Sequence, residues 1–116
     1  MHQKLPTVSG DAVYSADLPH GHIRLNTAAW FAWLEAPTTT SFSYPLVDPD
    51  AGYVVGFMTV RKEGRQRGGT YWSVFRRCGR RVRTVYLGRS ASVTQACLDQ
   101  IADRLRHAAH DVCEGR

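Results

Sequence analysis

The sequence predicts an α+β fold in one domain, residues 1–116, in which a C-terminal helix packs on an antiparallel β-meander. Three observations support this prediction. Apolar and polar residues alternate at every second position through much of residues 51–88, which is typical of half-buried strands. Short links rich in glycine and arginine separate these segments, which favours antiparallel neighbours. The chain then continues with an apolar stripe at helical spacing.

The first half predicts strands and a helix that elaborate this sheet. The segment "AVYSADLPHGHIRLN" indicates one or two short strands, and we expect the residues before it to fray or to pair at a sheet edge. A short helix is predicted in "NTAAWFAWLEA", where Asn26 or Thr27 can cap its start and Trp30 and Trp33 lie on one face. The following "PTTTSFSYPLV" alternates like a strand. We therefore expect residues 1–50 to form an acidic N-terminal elaboration.

The second half, residues 51–110, predicts the meander and its helix. A strand in "YVVGFMTVRKE", with a bend at Gly56, leads into the loop "GRQRGG". A second strand in "TYWSVFRR", the turn "CGRR" and a returning strand that ends at Gly88 follow. The terminal helix is predicted to bury a stripe of five residues: Val93, Ala96, Cys97, Ile101 and Leu105.

Positive charge is concentrated in one quarter of the chain. Residues 61–89 hold ten cations and one acid, a net charge of +9, whereas residues 1–60 carry −3 and residues 90–116 carry −1. Nine of these ten cations are arginine, the side chain best suited to paired hydrogen bonds with phosphates and guanine edges. The segment therefore favours a polyanionic partner.

Period two sorts the predicted hairpin into two faces. Phe75 and Leu87 fall on the more aliphatic face, which we expect to meet the helix. The other face is predicted to hold aromatic, arginine and threonine residues, a combination suited to nucleic acid. We therefore predict a protein that binds double-stranded DNA. The predicted contact residues are Arg61, Arg65, Arg67, Trp72, Arg76, Arg80, Arg81, Tyr86 and Arg89.

Three alternatives stay open from the residues alone. The helix that carries Trp30 and Trp33 could cover the second sheet face, so that Trp72 and Tyr86 belong to the core. The first half could instead form the interface of a protein-interaction module through those two tryptophans, while the basic loops aid solubility. RNA or single-stranded nucleic acid could bind the same aromatic and basic residues.

Two DNA-binding families share the pattern of "TYWSVFRR", a turn, "RTVYLGRS" and a helix. The pattern resembles the three-stranded-sheet-plus-helix domain of plant ethylene-response factors, and it is similar to the arm-binding domain of tyrosine-recombinase integrases. Both families lay the sheet in the major groove. The resemblance implies groove-facing positions at Arg61, Trp72, Arg76 and Tyr86. Val74 departs from the plant pattern, in which a polar or charged residue is often found.

A second resemblance spans nearly the whole chain, through "WFAWLE", "SFSY" and "FMTVRKEGRQRGGTYWSVFRRCGRRVRTVYLG". These segments look like a small bacterial domain that often precedes the ATPase module of large LuxR-type regulators. This resemblance implies a bacterial setting in transcription regulation or mobile-element biology.

Other chemistry and locations are not favoured by the sequence. The spaced residues His107, His110 and Cys113 lack the converging ligands of a metal site, and we predict no metal, cofactor or enzymatic activity. Three unpaired-looking cysteines are typical of a reducing cytosol. No signal-peptide layout and no membrane-length apolar run is present, so we expect a cytoplasmic protein.

Overall fold

In the computed structural model, a seven-stranded mixed sheet carries two α-helices. The structure describes residues 5–18, 20–65, 69–78 and 80–114, without side chains for residues 65, 78 and 107–114. The strands are β1 (Thr7–Ser9), β2 (Ala12–Tyr14), β3 (His22–Arg24), β4 (Ser41–Val47), β5 (Val54–Arg65), β6 (Gly69–Cys78) and β7 (Arg81–Gly88). The helices are α1 (Ala28–Glu35) and α2 (Gln95–Glu114), and a 3-10 turn, Ser90–Ser92, precedes α2.

The strand order is β3-β2-β1-β4-β5-β6-β7. Strands β4 to β7 form an antiparallel meander, and β1 joins it in parallel through the pair Thr7↔Ser43. The α+β prediction is therefore confirmed, but the sheet is wider than three strands. Residues Thr7–Ser9 do not form an edge of the sheet, because β1 lies between β2 and β4.

The starts of the two helices are joined by neighbouring polar residues. The Thr27 hydroxyl accepts a hydrogen bond from the Trp30 backbone N–H at 3.2 Å and caps α1. Asn26 takes a left-handed backbone with φ of 65°, which asparagine tolerates better than most residues. Its side-chain oxygen accepts from the Gln95 backbone N–H at 2.9 Å, at the first residue of α2. Both residues predicted as caps therefore bind a helix start: Thr27 binds that of α1, and Asn26 binds that of α2.

Both helices pack on one face of the sheet, here called the inner face. Trp30 of α1 meets the Phe42 ring edge-on at a centroid distance of 5.3 Å, and Phe42 in turn lies 5.7 Å from Trp72. The Tyr44 hydroxyl on the same face is hydrogen-bonded to Asp99 of α2. Burial and the Asp99 carboxylate raise the pKa of Tyr44, which keeps this hydroxyl a donor. The core therefore lies between this face and the two helices.

The buried stripe of α2 differs in part from the predicted one. Ile101 and Leu105 are buried as expected, and so is Val93 ahead of the helix. Ala96 is exposed and Cys97 half-buried, and their places are taken by Leu98 and Ala102. The predicted stripe began at Val93, but the helix begins only at Gln95, so Val93 is not part of the helical repeat that sets the buried face.

Among the described residues, the helices lack the length and apolar content that crossing a lipid bilayer requires.

Replacing Trp72 with alanine should reduce the free energy of unfolding by about 3–5 kcal/mol, because the side chain is fully buried. Its Nε1 also donates to Ser90 Oγ at 3.0 Å. Trp72→Phe should cost less, since it keeps an apolar ring and loses mainly that hydrogen bond. Urea unfolding of both variants tests this, with Tyr14→Ala on the exposed part of β2 as the control. Equal stability of Trp72→Ala and Tyr14→Ala would contradict the assignment of Trp72 to the core.

Candidate nucleic-acid interface

The register of the meander separates the inner face from an outer face that neither helix covers. Residues paired across antiparallel strands point to the same side. The pairs Val60↔Val74 and Val74↔Val85 lie on the inner face, whereas Thr59↔Phe75 and Ser73↔Tyr86 lie on the other side. We define the outer face by eleven residues of β5 to β7, one of them acidic: Phe57, Thr59, Arg61, Glu63, Tyr71, Ser73, Phe75, Arg77, Val82, Thr84 and Tyr86.

The predicted assignment of Trp72 and Tyr86 to one face is wrong. Cys78 pairs with Arg81, so two positions separate the strands, and odd positions of β6 lie opposite even positions of β7. The sequence-based sorting had matched odd positions with odd. A register change of one residue moves all side chains of a strand to the other face. Tyr86 therefore lies on the outer face, while Leu87 points inward beside the core.

Trp72 is corrected from a contact residue to a core residue. Its relative exposure is 0%, so a ligand on the protein surface cannot reach its ring. The alternative that places both Trp72 and Tyr86 in the core is therefore confirmed for Trp72 and wrong for Tyr86, which is exposed. Trp30 is also fully buried, and Trp33 is partly buried against the same core. Trp30 is thus closed to a protein partner, whereas Trp33 keeps part of its surface exposed.

Aromatic and basic side chains combine on the outer face. Tyr86 is 60% exposed, and its ring lies 5.5 Å from that of Tyr71. The Arg61 guanidinium lies over the Phe75 ring at 5.1 Å from the centroid, a cation–π contact. Phe57 adds another exposed ring. The combination expected on one sheet face is therefore present, but a different set of residues forms it.

Four exposed arginines form the end of the β6–β7 hairpin, here called the hairpin tip: Arg77, Arg80, Arg81 and Arg83. The chain has no acidic residue between Glu63 and Asp99. Within the described parts of the chain, the ion pairs join Arg24 to Asp11 and Arg106 to Asp103, away from the tip. Among the described residues, the four arginines of the hairpin tip therefore form no ion pair.

Arg76 points away from the outer face and braces the base of the hairpin tip. Its Nη1 donates to the Phe57 carbonyl at 3.0 Å, and a Cβ on Gly56 would lie only 2.8 Å from that nitrogen. The pairing of β5 with β6 ends at Thr59↔Phe75, whereas β6 and β7 stay paired to Cys78↔Arg81. The guanidinium thus occupies the space where β6 leaves β5. Its Nε is buried and has no hydrogen-bond partner within the described structure.

The remaining predicted contact residues are spread over both ends of the sheet. Arg61 lies on the outer face, and Arg80 and Arg81 lie at the hairpin tip. Arg89 is exposed at the other end of the sheet, beside Gly69. Arg65 ends β5, with its side chain outside the description, and residue Arg67 lies outside the described residues. The sequence prediction did not include Phe57, Tyr71, Phe75, Arg77 and Arg83 among the contact residues. The two-residue turn places Tyr71, Phe75 and Arg77 on the same face as Tyr86, so the expectation that Phe75 meets the helix is wrong.

Comparison with known proteins found no match to a family model, a curated protein or a solved structure. The two resemblances stated from the sequence therefore remain predictions.

Gly56→Ala should displace the Arg76 guanidinium and destabilise the fold by about 1 kcal/mol, the value of one hydrogen bond. Arg76→Met should cost a similar amount for the same reason. The double variant should cost no more than either single one, because both remove one contact. Chemical unfolding of the three variants measures this coupling.

The control for this cycle is Gly64→Ala, also in β5, where nothing lies within 4 Å of an added Cβ. It reports the effect of alanine in the strand itself. Additive losses from Gly56→Ala and Arg76→Met would show that the two residues act separately.

Proposed function

We propose that the protein binds double-stranded DNA through the outer face and the hairpin tip. One observation carries the proposal: both helices pack on the inner face and leave a sheet surface of aromatic, arginine and threonine residues open. Such surfaces bind nucleic acid by pairing cations with phosphates and by packing rings on sugars or bases. The resemblances to major-groove sheet domains support the same function and suggest a regulatory or mobile-element setting.

The two-stranded end of the hairpin supports contact in the major groove. This groove is about 12 Å wide and admits a two-stranded β-ribbon. Beyond the last pair with β5, the paired ends of β6 and β7 form such a ribbon, with arginines on both strands. Arg77 points to the outer face from a strand, so its position relative to a base edge would be set by the sheet. The flanking Arg80 and Arg81 suit contacts with phosphates.

A second candidate is binding of single-stranded nucleic acid, which the paired rings of Tyr71 and Tyr86 favour. Exposed aromatic rings on a sheet are platforms on which unpaired bases stack, each worth about 1–3 kcal/mol. Phe57 extends the aromatic surface on the neighbouring strand. The two candidates share the same face but depend on different residues, so variants can separate them.

Duplex binding should depend steeply on salt. If about four to six phosphates are neutralised, log K should fall against log salt with a slope of about −4 to −5. Fluorescence anisotropy with random duplex DNA at several salt concentrations measures this slope. Absence of binding at about 50 mM salt and about 50 μM protein would remove the DNA proposal, since nonspecific binding alone falls in this range.

Arg77→Gln should weaken duplex binding and reduce the magnitude of the salt slope by about one unit if it meets a phosphate. If it reads a base, the loss should be about 1–3 kcal/mol on a selected sequence and much smaller on random DNA. Arg104→Gln is the control, because Arg104 is an exposed arginine of α2, on the other side of the sheet. Equal losses in the two variants would mean that only total charge matters.

Titration with an unpaired oligonucleotide tests the second candidate. Tyr86→Ala should then reduce affinity by about 1–3 kcal/mol through lost stacking, with little change in melting temperature. Tyr14→Ala is the matched control, because Tyr14 is 50% exposed on β2, at the far part of the sheet. Tighter binding of duplex than of single strand, with no effect of Tyr86→Ala on the latter, would exclude this candidate.

A further inference from the structure

A cleft lies at the end of the sheet opposite the hairpin tip, beside the C-terminal end of α1. Its volume is about 460 Å³. Two cations and several hydroxyl groups line it, together with one carboxylate. The residues that matter here are Glu35, Thr40, Lys62, Thr70, Arg89 and Ser90.

Lys62 is the single lysine of the arginine-rich segment 61–89. Its compact ammonium group fits a partly buried position in the cleft. Its Nζ donates to the Ala36 carbonyl at 3.0 Å and lies 5.4 Å from the centroid of the Trp72 ring. An ammonium has three N–H donors, so this hydrogen bond leaves others for a ligand. Partial burial lowers the pKa of Lys62, and an anion in the cleft would offset that cost.

Arg89 supplies the second cation of the cleft lining. It is exposed, and its Nη1 lies 3.6 Å from the position that a Cβ on Gly69 would take. The hydroxyls of Thr40 and Thr70 line the same space. An ammonium, a planar guanidinium and hydroxyl donors are the groups that bind phosphate oxygens in proteins. The Glu35 carboxylate would repel an anion in the cleft, so a substitution at Glu35 tests the proposal.

We infer that this cleft binds a phosphate group, either of a free phosphate compound or at the end of a nucleic-acid strand. Lys62 and Arg89 neutralise the anion, and the threonine hydroxyls donate to its remaining oxygens. The inference goes beyond DNA binding by the outer face and does not rest on it. If either proposal fails its test, the other is unaffected.

The test is a titration of the full chain with inorganic phosphate at constant ionic strength, followed by the backbone amide signals of Lys62, Thr70 and Arg89 in NMR spectra. Saturable shifts confined to the cleft are expected. Arg89→Gln should weaken binding by about tenfold through loss of a charge-assisted hydrogen bond. Glu35→Gln should tighten it by removing the opposing charge. Both side chains are exposed, so neither change threatens the fold.

Arg104→Gln, in an exposed position of α2, is the matched control and should bind phosphate as the parent does. Absent or non-saturating shifts would overturn the inference, and so would equal losses from Arg89→Gln and Arg104→Gln. A short oligonucleotide with and without a 5′-phosphate then separates the two sources. A preference of about tenfold for the phosphorylated strand, lost in Arg89→Gln, assigns the site to a strand end. No preference assigns it to free phosphate compounds.

Discussion

Two buried indoles fix the side of the sheet on which the helices lie. Trp30 Nε1 of α1 donates to the Val93 carbonyl at 2.8 Å, and Trp72 Nε1 of β6 donates to Ser90 Oγ at 3.0 Å. Both acceptors belong to the short segment that leads into α2, so the two bonds hold α1, the sheet and α2 together. A buried indole N–H without an acceptor is costly, which makes this arrangement specific. The outer face stays open as a consequence.

The types of the elements in the second half could be predicted, because strand alternation and an apolar helical stripe are local signals. The pairing of β1 with β4 could not, since the pair Thr7↔Ser43 joins segments that no short turn connects. Tyr86 lies exposed on the outer face and Trp72 lies in the core, and one feature of the hairpin decides both positions. The face of each residue depends on the two positions between Cys78 and Arg81, and composition does not determine that register.

The order of the strands separates the acidic part of the sheet from the basic part. The sheet order places the acidic first half at β3, β2 and β1, and the basic hairpin at the opposite edge. Arg76 braces that hairpin from behind, so that Arg77 is presented from a supported strand. Lys62 and Arg89 place further positive charge in the cleft at the other end of the sheet. Cations thus lie at the hairpin tip, at the base of the hairpin and in the cleft, and their surroundings differ at each place.

The position of β7 at the end of the strand order has a consequence for self-association. An edge strand presents unpaired backbone N–H and C=O groups to which another copy of the sheet could add. Val82, 49% exposed, would favour such an addition. Arg81 and Arg83 flank it, and a second β7 laid alongside would bring like charges together. The same arginines therefore oppose edge-to-edge pairing of two copies through β7.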